Sequence, residues 1–416
     1  MTQQSVRKDY FWNTFGVLAQ NAISPLLVIV ITRLNGIHDS GIFSFAFSVA
    51  IIFWALGMWG GRTYQVSDIK REFSSRSYIT VRLILAFVML AGAVLFSAVN
   101  HYDALKTGVI IALVLFKVIE SLADVLFGIM QVHGRLYMAG KSLAYKAVTG
   151  FTIFIVINVL THNILWSSLS LFVVNGVFLL FYDLSIARSL EKLRISTSQI
   201  KHYVKDALYI MKRCSPIFIV TFLATFSLNI PRYFVDLYHN DQIGYFGILT
   251  MPVTLIVLVM SFILQPKVVE LSHLYAKKEF TQFNKITTKL ALLTSAIGVV
   301  ILLATQFVGV QVLHIVFGVD FTQYKQALLI MVVGSIANAL VSIAMNIFII
   351  MRRFKAQFYT LLLSNAALVG LSVPVVKEHG LLGGICLFTL INFVQFVFFL
   401  FIYRNGLREA GYAKGN

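Results

Sequence analysis

Residues 187–213 read ARSLEKLRISTSQIKHYVKDALYIMKR, the longest polar interruption in an otherwise apolar chain. Arg188, Lys192, Arg194, Lys201, Lys205, Lys212 and Arg213 make it strongly basic. It lies near the middle of the 416 residues and so divides the chain into two halves of similar length. In its second part Ile200, Tyr203, Val204, Leu208 and Met211 recur at helical spacing, while Lys201, Lys205 and Lys212 fall elsewhere on the wheel. That pattern predicts a basic amphipathic helix lying flat on an anionic membrane surface. The plainer alternative is a solvated connector.

Working outward, the flanking sequence is too apolar for a water-soluble domain. Hydrophobic residues make up 58% of the chain and charged residues 12%, about half the charge usual for a soluble domain. The net charge of +17 would suggest nucleic acid in a soluble protein. Here the bases cluster in short segments between apolar runs, so anionic lipid and membrane orientation account for them and no nucleic-acid partner is expected. Cys214 and Cys386 form neither a metal motif nor a disulfide framework. Arg7, Lys8 and Asp9 precede a long apolar run without a small-residue cleavage pattern, which predicts an uncleaved first span.

A span needs about 20 mostly apolar residues. Twelve candidates fit: 12–34, 41–61, 79–99, 107–130, 143–160 and 165–187, then 214–236, 244–265, 289–309, 327–350, 358–376 and 381–403. The polar segments alternate in charge. Most of the 34 lysines and arginines lie at the N-terminus, in 62–78, 131–142, 188–213, 266–289 and 351–357, and in the tail from Arg404. The opposite set holds only Lys106, Lys325 and Lys377. By the positive-inside rule the rich set and both termini are cytoplasmic. The expected organisation is an all-α membrane protein of twelve transmembrane helices in two parallel six-helix lobes, 1–187 and 214–403. A basic linker, 188–213, joins them, and a cytoplasmic tail, 404–416, follows. The longest outer loop is expected around 309–326.

The halves echo each other. Arg33 is followed by His38-Asp39-Ser40-Gly41-Ile42-Phe43 and a span ending at Gly61-Arg62. Arg232 and Asp236 are followed by Asn240-Asp241-Gln242-Ile243-Gly244-Tyr245-Phe246 and a span ending at Gln265-Pro266-Lys267. With six spans in each half, the repeats share an orientation and are related by an axis along the membrane normal.

An ionisable side chain inside the bilayer is costly unless it is paired or faces water, so the few present are informative. Lys117, Glu120 and Asp124 share one face of the fourth span. They either neutralise one another or line a water-filled cavity. Asn229, Pro231, Arg232 and Asp236 lie on the seventh span. Pro231 removes a backbone donor and predicts a bend, a hinge beside which Asn229 and Arg232 contact substrate. The alternative is that Arg232, like Arg33 at the end of the first span, snorkels to the outer headgroups. Arg62, after Gly57, Gly60 and Gly61, either meets an anionic headgroup entering from inside or anchors the span. Lys146 is expected to snorkel, and Asp183 to pair with a neighbouring base. Gly134 to Ser142, GRLYMAGKS, is one residue too long for a phosphate loop and follows no strand. Gly380 to Gly384 suits close helix packing. No catalytic constellation and no metal set is recognisable.

Length, twelve spans, two lobes and a basic linker resemble the polysaccharide, O-antigen and teichoic-acid flippases of the multidrug/oligosaccharidyl-lipid/polysaccharide (MOP) exporter superfamily. So does the opening pattern Asn13, Pro25, Arg33-Leu34, Gly41-Ile42-Phe43, Phe47, Gly60 and Gly61. The chain departs from that pattern in placing Asn35 before Gly36. The resemblance implies a MATE-like fold of two bundles around a central cavity and a non-enzymatic transporter in the bacterial inner, or plasma, membrane. It would move an undecaprenyl-pyrophosphate-type lipid-linked glycan outward for the cell envelope, beside glycan polymerase or ligase partners. Arg33, Arg62, Lys117, Asn229 and Arg232 would then serve cargo in the cavity. Glu120, Asp124 and Asp236 would serve charge pairing or coupling to a proton or sodium gradient, with no bound cofactor. A cation-coupled multidrug exporter of the same superfamily is the competing reading. A membrane-embedded glycan polymerase or acyltransferase is disfavoured by the short outer loops and the repeated lobes.

Overall fold

The computed structural model describes residues 3–68, 70–193 and 199–410. These are mostly helical, with short turns between helices and no strand among the described residues. The first half comprises α1 (Gln3–Asn35), α2 (Ile37–Met58), α3 (Gly61–Ser67), α4 (Ser75–Val99), α5 (Ala104–Val132), α6 (Leu136–Thr161) and α7 (Ile164–Phe178), then a π-helical turn (Leu179–Asp183) and α8 (Leu184–Leu190). The second comprises α9 (Ile200–Tyr238), α10 (Ile243–Leu249), α11 (Met251–Ala276), α12 (Phe280–Phe317), α13 (Lys325–Ile350) and α14 (Phe354–Ala410). Nine stretches of the described residues satisfy length and hydropathy for crossing a membrane. Three further facts bring these to twelve crossings. α14 is two helices meeting at Gly380, whose φ of 55° and ψ of −135° suit glycine alone. α5 is long enough but carries Lys117, Glu120 and Asp124. α11, of 26 residues, spans by length. The chain is a multi-pass membrane protein.

Local chemistry explains the helix starts. Ser74 caps α4 by accepting from the Ser77 N–H, Asp103 caps α5 through Lys106 N–H at 2.7 Å, and Asn163 caps α7 through Leu165 N–H at 2.9 Å. Two boundaries differ from expectation. The eighth span, expected as one run over 244–265, is divided at Thr250, because Pro252 at the start of α11 has no N–H to continue α10. The expected outer loop over 309–326 is mostly helix: α12 runs to Phe317, since isolated polar residues such as Gln311 and His314 leave the backbone ladder intact.

The chain divides into two compact units, residues 1–222 and 223–416. The boundary lies inside α9. Residues 200–213, expected as a separate surface helix, are the opening turns of α9, continuous with the seventh span. Tyr203, Ala207, Ile210 and Cys214 are buried, and the last three join the core of the first unit beside Val81, Leu85, Phe127 and Met130. Leu208, expected on the apolar face, is 57% exposed. Polar contacts hold this stretch in place: Arg76 donates to the Tyr203 hydroxyl at 2.9 Å, Ser77 to Asp206 at 2.9 Å, and Arg213 to Glu72 at 2.9 Å. Lys201, Lys205 and Lys212 remain exposed. Arg194 and the rest of 194–198 lie outside the described residues, as does the tail beyond 410.

In the first unit α5 is the central helix, touching α2, α3, α4, α6, α7 and α8. α1 packs along α6, and the two backbones approach closely at Gly16 and Gly140. In the second unit a core of Leu264, Leu271, Phe283, Ile347, Phe348 and Phe399 joins α11, α12, α13 and the end of α14. The outward residues of α12, including Val300, Phe307 and Ile315, are exposed as expected for a lipid-facing helix.

A Cβ on Gly140 would collide with the Trp12 backbone carbonyl, which has no flexible end to yield. Gly140→Leu is expected to lower stability by roughly 1–3 kcal/mol through overpacking. Gly176→Leu, with nothing within 4 Å of its Cβ, should be near neutral. Thermal unfolding of the two variants in one detergent checks this.

Candidate functional site

α2 ends at Trp59 (φ 34°) and Gly60 (φ 65°), both left-handed, and α3 begins at Gly61. Gly60 makes the second left-handed step without a Cβ penalty. The turn leaves the last carbonyls of α2 without helical partners. Arg82, from α4, supplies donors: its Nη1 bonds to the carbonyls of Gly57 and Met58. The same guanidinium places Nη2 2.8 Å from Asp124 Oδ2 on α5. Arg82 is 1% exposed. The other Asp124 oxygen faces Arg62 Nη1 at 3.3 Å. Arg62, on α3, also donates to Gln131 Oε1 at 3.0 Å. One carboxylate thus serves two guanidiniums, and the set carries one surplus positive charge. Trp59 braces the turn: its ring stacks on Phe218 at 3.6 Å, and its Nε1 donates to the Met211 carbonyl at 2.9 Å.

The sequence reading includes Arg62 and Asp124 but passes over Arg82. An arginine four residues into the span 79–99 is itself the signal that would have found it, because an intramembrane base demands a partner.

The face shared by Lys117, Glu120 and Asp124 is divided between two sites. Lys117 Nζ lies 2.6 Å from Glu120 Oε2, which settles the nearer pair as an ion pair. Gln20 of α1 donates to the other Glu120 oxygen. The Lys117 ammonium also sits over the rings of Phe116 at 4.7 Å and Phe47 at 4.9 Å. Asp124 belongs to the arginine pair.

Lys146 does not snorkel. It is 3% exposed and ion-paired with Asp183, itself fully buried. Ser142 donates to the other Asp183 oxygen at 2.6 Å. The π-helical turn ending at Asp183 presents this carboxylate to α6. With an anion one helix away, pairing replaces the reach to a headgroup.

In the second unit Arg232 donates to the Thr250 hydroxyl at the α10–α11 break, and its guanidinium lies 5.9 Å from the Phe246 ring centre. The break, not a headgroup, is where the side chain goes. Asn229 donates to its own helix at Thr225 O, 2.8 Å away. Pro231 lies within the unbroken run of α9, and Gly384 packs against its ring and Val235. Asp236, one turn on, is 4% exposed. Arg33 is exposed in the last turn of α1.

No family model matches the sequence. Over 394 residues the chain is 23% identical to the capsular polysaccharide biosynthesis protein CapF of Staphylococcus aureus, spanning 91% of this chain and 94% of that one. Among solved structures it is similar to an inward-facing multidrug resistance MATE family transporter of the MOP superfamily, with a TM-score of 0.69 at 13% identity over 96% of this chain and 95% of that one. It is equally similar to the lipid II flippase MurJ in an inward closed conformation, with a TM-score of 0.69 at 11% identity over 95% and 89%. The MATE multidrug transporter DinF-BH gives 0.64 at 16% identity over 97% and 95%. The chain has the fold of the MOP-superfamily transporters, as the resemblance implies, and the solved proteins sharing it are transporters rather than enzymes.

Removing one member of a buried ion pair strands the other charge, at a cost of roughly 3–5 kcal/mol. Lys146→Met and Asp183→Leu are each expected to lose about that much, and the double variant to recover most of it. Thermal unfolding of all three variants in detergent is the measurement.

Proposed function

We propose that the protein is a flippase. It carries a polyprenyl-phosphate- or pyrophosphate-linked oligosaccharide from the cytoplasmic to the outer leaflet of a bacterial plasma membrane by alternating access, with both termini cytoplasmic. The observation that carries this reading is the surplus positive charge at Arg62, Arg82 and Asp124, with Arg62 half-buried and Arg82 sealed in. A phosphate-bearing sugar head cannot enter hydrocarbon unaided, because its charges would lose their water. A guanidinium replaces that water with paired charge-assisted hydrogen bonds. The polyprenyl chain stays in lipid throughout. The likeness to a capsular polysaccharide biosynthesis protein and to a lipid II flippase supports a lipid-linked glycan as cargo.

Arg62 is the first phosphate contact in this reading. Lys117, Asn229, Arg232 and Arg33 serve cargo along the rest of the path, and Pro231 serves as hinge. Glu120 and Asp236 take part in coupling to a proton or sodium gradient. Anionic lipids meet the exposed lysines of α9, and a polymerase or ligase receives the product.

The multidrug-exporter reading draws on the MATE likeness and on the aromatic rings about Lys117. A cationic drug needs a carboxylate without a resident base. In the first unit Glu120, Asp124 and Asp183 each already have one, which favours anionic cargo.

The test is reconstitution. In proteoliposomes a fluorescent polyprenyl-pyrophosphate oligosaccharide should exchange leaflets faster with protein than without, as read by quenching from outside. Arg62→Ala loses a charge-assisted contact of roughly 1.5–3 kcal/mol and should slow exchange about tenfold or more. Lys117→Ala and Arg232→Ala should also slow it. Unchanged exchange in all three, or transport of a cationic dye in place of the glycan lipid, would overturn the assignment.

A further inference from the structure

We infer that Asp124 is a built-in substitute for the cargo's phosphate, and that Arg82 is the positioning residue that allows Arg62 to leave it. This rests on the anionic-cargo reading above and deepens it.

The two guanidiniums on Asp124 are held very differently. Arg82 is 1% exposed, sits 2.8 Å from Oδ2 and directs Nη1 at two backbone carbonyls at the end of α2. Arg62 keeps 26% of its side chain exposed and stands 3.3 Å from Oδ1, longer than the 2.7–2.9 Å usual for a charge-assisted bond. Its second partner, Gln131, is a neutral amide. Arg62 is thus the loosely held member, and its planar fork suits two oxygens of one phosphate.

Exchange is feasible because of the charge count. If Asp124 had Arg62 alone, the departure of Arg62 would strand a buried carboxylate. With Arg82 fixed on Oδ2, Asp124 stays neutralised and Arg62 takes the surplus charge to an incoming anion. Gly61 leaves room for this arrangement: a Cβ there would stand 3.3 Å from Arg82 Nη2. Asp124 therefore competes with cargo for Arg62 and sets how strong an anion must be to capture it. The ligand class is a phosphate ester or diphosphate with at least two free oxygens, from a lipid headgroup or from solution.

The test measures binding of inorganic pyrophosphate and of farnesyl diphosphate to the purified full-length protein by calorimetry. Arg62→Gln should weaken binding about tenfold, the worth of one charge-assisted contact. Asp124→Asn keeps an acceptor for Arg82 but removes the competing charge, and should tighten binding by several fold. Gln131→Ala frees Arg62 without touching the buried pair and should tighten it as well, which keeps the test decisive if Asp124→Asn does not fold. The combination of Asp124→Asn with Arg62→Gln should bind no tighter than Arg62→Gln alone.

A gain for both ligands, or for farnesyl diphosphate only, supports the exchange and separates phosphate recognition from recognition that includes the lipid chain. A gain confined to inorganic pyrophosphate overturns it as a device for lipid cargo. Equal tightening by Asp124→Asn with and without Arg62 reduces the effect to general electrostatics and overturns it. If Arg62→Gln weakens binding while neither Asp124→Asn nor Gln131→Ala tightens it, the exchange is wrong and the anionic-cargo reading stands. If neither ligand binds wild type, the anionic-cargo reading itself falls.

Discussion

The bond between Arg82 and Asp124, with the Arg82 bonds to two carbonyls, ties α2, α4 and α5 to one another around a buried guanidinium. α2 stops at Trp59 and exposes carbonyls that hydrocarbon cannot satisfy, and α4 answers with a guanidinium. α5 then neutralises that guanidinium with a carboxylate. Each step is forced by the one before it, because an unpaired polar group at this depth costs several kcal/mol. These bonds satisfy the carbonyls at the break between α2 and α3, two residues before Arg62 on α3.

The same constraint orders the whole first unit. Several of its charges are paired inside, while part of its large apolar surface faces outward around a packed apolar core. Lys117 with Glu120, Arg82 with Asp124, and Lys146 with Asp183 are three pairs on or beside α5, the first partly buried and the other two buried. Phe87, Leu160 and Phe181 are 75%, 76% and 75% exposed. With lipid outside, burying apolar surface does little to join helices; small residues and satisfied polar pairs do so instead. The crossing of α1 and α6 at Gly16 and Gly140 shows the first device, and the ion pairs show the second.

The basic segment between the halves has a different role from that of a loose tether. From Ile200 it is helix, and its apolar stripe belongs to the core of the first unit while its lysines stay outside. Tyr203, Asp206 and Arg213 are tied to the turn before α4 and to its first residues. Because α9 runs on without interruption, the boundary of the first unit falls at Phe222 rather than at the end of the polar stretch.

By itself the sequence determined the class of fold. Twelve apolar runs of spanning length, alternation of basic and base-poor segments, and a midpoint interruption leave a two-lobed helical membrane protein as the economical solution, since hydropathy and length act locally and can be read locally. It also located Arg62, Lys117, Glu120, Asp124 and Arg232 as charges needing an explanation. Partners were not legible, because they come from helices distant in the chain. Spacing on α5 groups Lys117, Glu120 and Asp124, whereas the packing of α3 and α4 assigns Asp124 to two arginines and α1 gives Gln20 to Glu120. Lys146 reads as a snorkelling base until α6 and the π-helical turn bring it to Asp183. Only tertiary structure decided which charges neutralise each other and which guanidinium remains exchangeable, because in hydrocarbon that choice depends on distance and burial, neither of which is a property of sequence spacing.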